Sequence, residues 1–291
     1  MTSPQPAAPQ LERRQALVDV RLFLQRRSAV VGAVIMIVML VLVALGPLIA
    51  PYSPSAPDYA HILAAPSLQH LMGTDEFGRD VFSRILWGAR LTLAVGFIGA
   101  FASAILGTPV GLATAYFGGW LDDIVMRIVD IILSFPGILL AIGVIAILGP
   151  GLQNVIITII VFGVPMFARI VRGSAISIRN LEYIEAAKAG GATNARILYQ
   201  HMLRNLVGPI TVQLTLQMAQ AILVASSLGF LGFGAQPPTP EWGAMLAEGR
   251  MFLTIAPWVD IFPGVCIFLA VLGFNMVGDG LNDMLDPRLR R

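Results

Sequence analysis

Apolar segments long enough to cross a bilayer recur along this chain, separated by polar or glycine- and proline-rich stretches. Residues 29–50 hold no charged side chain, and at 1.5 Å per residue they cover roughly the ~30 Å of a hydrocarbon core. The run is longer than the ~7–15 apolar residues of a signal peptide, so a retained first span is expected. Pro47, Pro51, Pro54 and Pro57 close it and open a polar loop. Phe82, Ile85, Leu86 and Ala89 then fall on one helical face flanked by Asp80, Ser83, Arg84 and Trp87. That pattern predicts an amphipathic helix at the membrane surface, with Asp80 and Arg84 paired four residues apart. Further spans are predicted at 91–116, 124–148, 155–167, 207–230 and 258–277. Pro136-Gly137 breaks the third, Pro165 ends the fourth, and Gly107 and Gly111 around Pro109 give the second a close-packing face.

Composition agrees with that pattern. Hydrophobic residues make up 56% and charged residues 12% of the 291, against roughly 25% charged in a soluble domain. The expectation is an all-α membrane protein with six transmembrane helices. It divides into a tail at 1–28, a first span at 29–50, an outer loop with its amphipathic helix at 51–90, and a core at 91–291 whose main polar insert lies at 168–206. Residues 1–10, with three prolines, read as a disordered tail. Placing both termini in the cytoplasm leaves only Arg79, Arg84, Arg90 and Arg250 outside, with the other fifteen of the nineteen basic residues inside, as the positive-inside rule asks. Cys266 is the sole cysteine, so no intrachain disulfide is available. The arginines are spread over several loops without interleaved aromatics, which argues against nucleic acid as a partner and leaves lipid as the expected surroundings.

The insert carries the most distinctive local signal. Residues 183–189 favour helix, Gly190-Gly191 stops the run, and a second helix is expected behind Thr193 or Asn194. Alanines on the exposed side of the first helix would let another protein's backbone approach closely, which predicts a docking knob. Gln213, Gln217 and Gln220 form a polar stripe on the fifth span; they either tie helices together or line a wet path. Arg127 and Asp130 lie three apart in the third span and predict an ion pair at its edge. Asp75, Glu76 and Asp80 could form a cation site, but capping and interfacial charge explain the cluster adequately. The only lysine is followed by alanine, so no P-loop exists, and HExxH and GxSxG are also absent. His61, His70 and His201 are scattered. No catalytic or metal-binding residue is assigned, and the spans lack midplane acids for a proton relay.

Glu185-Ala186-Ala187, then Gly191, then His201-Met202-Leu203 resembles the EAA loop of permease subunits in binding-protein-dependent ABC importers. Three more stretches are similar to the "C" permease of the dipeptide, oligopeptide and nickel branch. These are Gly73-Thr74-Asp75 with Gly78-Arg79-Asp80 and Ser83-Arg84; Phe230 to Gly234 with Gln236 to Pro240; and Val277 to Leu281 with Asp286-Pro287. The resemblance covers about residues 20–290. It implies a type I importer permease fold and a homologous second permease. It also implies two cytoplasmic ABC ATPase subunits or domains, which bind the ATP and Mg, and an extracytoplasmic substrate-binding protein. Glu185, Ala186, Ala187, Gly190 and Gly191 would contact the ATPase, with Tyr183 and Arg196 beside them, and residues 236–242 would face the binding protein. This chain departs from the family at Arg204, where proline is usual; without it the second loop helix is expected to continue into the fifth span.

The resulting expectation is a peptide importer's permease with no ATPase site or cofactor of its own. A nickel or metal-chelate permease is the alternative within that class. A non-transporting scaffold and a proton-coupled carrier are the alternatives outside it, the carrier being disfavoured by the missing midplane acids.

Overall fold

The computed structural model describes residues 26–285. The predicted tail at 1–10 and the arginines at 13, 14, 21, 288, 290 and 291 lie outside the described residues. The helices are α1 (Arg27–Ile49), α2 (Val81–Phe117), α3 (Gly119–Ser134), α4 (Gly137–Leu148), α5 (Leu152–Arg179), α6 (Glu182–Ala189), α7 (Asn194–Arg196), α8 (Leu203–Phe230), α9 (Trp242–Gly249) and α10 (Trp258–Leu285). A π-helical turn, Ile197–Met202, joins α7 to α8. Among the described residues there is no strand, only an isolated bridge between Thr74 and Asp80.

Five helical stretches are long and apolar enough to cross a membrane, and the pair α3 and α4 makes a sixth if counted as one broken span. The pair bends by 94° at the expected place. Phe135 is forced into an extended conformation (φ −82°, ψ 140°) by the ring of Pro136 that follows it, and α4 restarts at Gly137.

Two predicted boundaries shift. No separate surface helix precedes the second span: Val81–Arg90 is the first quarter of the continuous α2, and Ile85, Leu86 and Arg84 in it are all buried. The charged side that looked solvent-facing is covered by the preceding loop and by α9. The fourth span does not end at Phe167 either. α5 continues twelve residues further, because its arginines find acids on α3: Arg169 pairs with Asp130, and Arg172 pairs with Asp122. Asp130 therefore bonds across to α5, in place of the expected partner Arg127. The polar insert contracts accordingly to the residues after Arg179. The expected continuity past Arg204 is observed, Asn194–Phe230 forming one helical run.

α2 is the central element, packed along α5 and against α8, while α10 lies on α1 and α8. Its contact with α5 is a seam of small residues, Gly99, Ser103, Gly107 and Gly111. A Cβ on Gly107 would stand 2.6 Å from the Val164 carbonyl oxygen, and one on Gly111 2.9 Å from Val171 Cβ. Packing of this kind drives helix association where lipid removes the hydrophobic force. Arg26 and Asp283 meet at 3.5 Å, so the start of α1 and the end of α10 share one face of the bundle.

Candidate functional site

The insert folds as the knob its sequence predicts. α6 is eight residues long, and Gly191, at φ +78°, adopts the left-handed conformation that glycine takes without steric cost and ends the helix. Thr193 accepts a hydrogen bond from the Arg196 N–H at 3.3 Å, capping the next turn. A single α6 side chain, Ile184, is buried. It enters an apolar nest with Leu112 and Ala115 of α2, Val171 and Ala175 of α5, and Ile197, Met202 and Leu206 of the run into α8. Ile184 is thus the bolt that joins the knob to both long helices.

Glu185, Ala186, Gly190, Gly191 and Arg196 are exposed, and Ala187 is half-buried. Side-chain bonds steady the knob at its flanks. Tyr116 Oη donates to Asn194 Oδ1 (2.8 Å), Asn205 Nδ2 donates to Tyr183 Oη (3.0 Å), and Arg196 Nε donates to Gln200 Oε1 (3.1 Å). Lys188 Nζ sits 5.2 Å above the Tyr116 ring, a cation–π distance. Six of the seven predicted contact residues therefore present an accessible edge.

The glutamine stripe divides. Gln217 is buried, its Nε2 close to the place a Gly163 Cβ would occupy on α5. Gln213 is half-buried and Gln220 exposed. Gln217 packs between α8 and α5, while Gln213 and Gln220 keep accessible surface. Near Gln220, an apolar groove of about 540 Å³ is lined by Ile138, Leu223, Phe230, Leu246, Ile267 and neighbours.

At the other end of α2 the polypeptide builds a dense polar cap. Asp75 accepts from Arg79 Nε at 2.6 Å, and Arg84 Nε lies 3.4 Å from the same oxygen. Both guanidinium groups also donate to Glu248 Oε2 of α9, at 2.9 and 2.8 Å. Asp80 caps α2 by accepting the Ser83 N–H (2.7 Å) and holds His70 Nδ1 at 3.0 Å. The expected Asp80–Arg84 pair is replaced by these two networks, because Arg84 reaches α9 when the loop folds over it. Glu76 lies beside the cap, and burial together with the charges of Glu248 and Asp75 raises its pKa. Glu241 caps α9 through the Gly243 and Ala244 N–H groups, both at 2.9 Å. Its burial pushes its pKa up. Trp242 is wholly buried, its indole N–H donating to the Ile85 carbonyl at 3.1 Å. Of the predicted outer contact at 236–242, only Gln236, Pro237, Pro238 and Thr239 are exposed. The two prolines border a cleft of about 330 Å³ with Tyr59, Phe77 and Arg79.

Long apolar helices closed along a small-residue seam, with a compact knob bolted to one end, describe a membrane-embedded protein. Residues 107–291 match the family "binding-protein-dependent transport system inner membrane component", and residues 18–66 match the "N-terminal TM domain of oligopeptide transport permease C". The chain belongs to this family of inner membrane components and is a multi-pass protein of the inner membrane. It is 49% identical over 266 residues to the dipeptide transport system permease protein DppC of Alkalihalophilus pseudofirmus, an overlap of 91% of this chain and 88% of that one. It is 45% identical over 271 residues to the glutathione transport system permease protein GsiD of Pectobacterium atrosepticum, covering 93% and 90%. A chain from the inward facing MetNI methionine ABC transporter shares the fold, with a TM-score of 0.56 at 24% identity over 70% of this chain and 97% of its own length.

Proposed function

We propose that this chain is the permease subunit of an ATP-driven importer of dipeptides or oligopeptides. The carrying observation is the match to a dipeptide permease at 49% identity over nine-tenths of the chain. In this reading the chain pairs with a homologous permease, with two cytoplasmic ABC ATPase subunits or domains, and with an extracytoplasmic binding protein. It has no ATPase site; ATP and Mg belong to the partner subunits. The knob and both termini face the cytoplasm, and the polar cap faces outward.

Glu185, Ala186, Ala187, Gly190 and Gly191 dock into the ATPase, flanked by Tyr183 and Arg196. Support comes from their shared accessible edge and from Ile184, through which a push on α6 reaches α2, α5 and α8. ATP-driven closure of the ATPases would then shift one rigid knob and reorient packed helices, a two-state rearrangement of the kind known in transporters. Gln220 and Gln213 face the path, and the apolar groove beside α4 and α8 is covered by the second permease. Pull-down from gently solubilised membranes tests the assembly. The wild-type chain should retain a P-loop ATPase, a second permease and a peptide-type binding protein, and Glu185→Arg should lose the ATPase alone. Recovery of the wild-type chain without any ATPase would overturn the proposal.

A further inference from the structure

The outer loop brings together Asp58, His61 and His70, one ligand atom from each lying within 4.8 Å of the other two. Sequence spacing hid this, since the histidines stand nine positions apart and the folded loop closes the gap. His61 Nδ1 lies 2.8 Å from Asp58 Oδ2, so two of the three ligand atoms already stand side by side. The third member is already oriented. Buried Asp80 holds His70 Nδ1 at 3.0 Å; a carboxylate only accepts, so the proton sits on Nδ1 and the lone pair of Nε2 is left for a ligand bond. A carboxylate behind a ligating imidazole is the arrangement that fixes and strengthens histidine in metal sites.

The scaffold beneath is rigid. Asp58 N–H donates to the Phe77 carbonyl and Leu63 N–H to that of Asp75, both at 3.0 Å, and Ser67 N–H donates to that of His70 at 2.8 Å. Gly78, at φ +74°, lies directly against the Asp58 carbonyl, where any side chain would collide. We infer that Asp58, His61 and His70 form a binding site for a divalent transition-metal ion of borderline softness, with water completing the shell and Asp80 positioning His70. Tetrahedral zinc, with bonds of about 2.0–2.1 Å, sets its ligands roughly 3.3 Å apart. The exposed His61 ring supplies the inward swing needed. Two imidazoles and one carboxylate favour such an ion over calcium or magnesium, which take oxygen ligands. The inference stands on the loop alone and does not depend on the transport reading.

The test is a zinc titration of the full-length chain in detergent, freed of any affinity tag, against a competing chelator. Cobalt absorption serves as a second readout of the ligand field. One zinc equivalent is expected, weakened at least tenfold by His61→Ala and about 10- to 100-fold by Asp80→Asn, and unchanged by His201→Ala. Both the histidine replaced in the first variant and its partner Asp58 are partly exposed, so His61→Ala and Asp58→Asn should leave the helical content intact. Absence of stoichiometric zinc binding by the wild-type chain overturns the inference, as does equal affinity in wild type and a folded His61→Ala/Asp58→Asn double variant.

Discussion

At the Val81 end of α2, Arg79 and Arg84 lie buried between Asp75 and Glu248 and tie the loop at 50–80 to a helix more than 160 residues away. At the Phe117 end, α6 is held by one buried isoleucine and a few exposed bonds. The first region is fixed by charges that cannot be separated cheaply, the second by an apolar bolt under a smooth exposed edge. In the proposed reading the first surface keeps its shape while the second is gripped and moved, and the two ends of one helix differ accordingly.

Breaking the cap should have the largest effect. Arg84→Ala leaves Asp75 and Glu248 short of a buried counter-charge, at a cost of about 3–5 kcal/mol, and should lower the midpoint of thermal unfolding in detergent more than any knob substitution. Ile184→Ala should cost about 2–5 kcal/mol locally. Hydrogen exchange would report it as faster exchange over α6, while α2 keeps its protection. Gly111→Ala forces α2 off α5 and should cost about 1–3 kcal/mol, read as reduced thermal stability with the polar cap intact.

Glu76→Gln should change stability least, by under about 1 kcal/mol, and in the favourable direction near neutral pH. The Glu76 pKa is raised by burial and like charge, so its ionised form opposes folding. That opposition is full above the folded-state pKa and vanishes below the ordinary carboxylate range. Unfolding midpoints of the two proteins should therefore converge as pH falls through that window; a gap that widens on acidification would contradict the assignment.

Local pattern made much of the fold legible. The 29–50 run, the Pro136 break, the Gly107–Gly111 face and the glycine stop after α6 each depend on residues near one another in the chain, and each is where the sequence placed it. Long-range pairing was not legible. Arg169 and Arg172 looked like the end of a span because nothing nearby announces Asp122 and Asp130 as partners. The amphipathic start of α2 looked solvated because its cover, Glu248 and Trp242, lies far along the chain. The candidate knob was readable as a helix with small exposed residues, whereas its anchor in three other helices was not. Gln217 shared its stripe with Gln213 and Gln220, yet the close approach of Gly163 turned it inward.

The proposed coupling role of the knob is most directly tested by reconstituting the chain with its ATPase, second permease and binding protein in liposomes and measuring peptide uptake and ATP hydrolysis together, for wild type and Glu185→Arg. Glu185 is exposed on α6, so its reversal should change folding stability by under about 0.5 kcal/mol. Uptake should be abolished and hydrolysis should no longer respond to loaded binding protein, with the variant chain inserted at the normal level. Uptake at the wild-type rate in that variant would contradict the assignment of α6 as the element that receives the ATPase's motion.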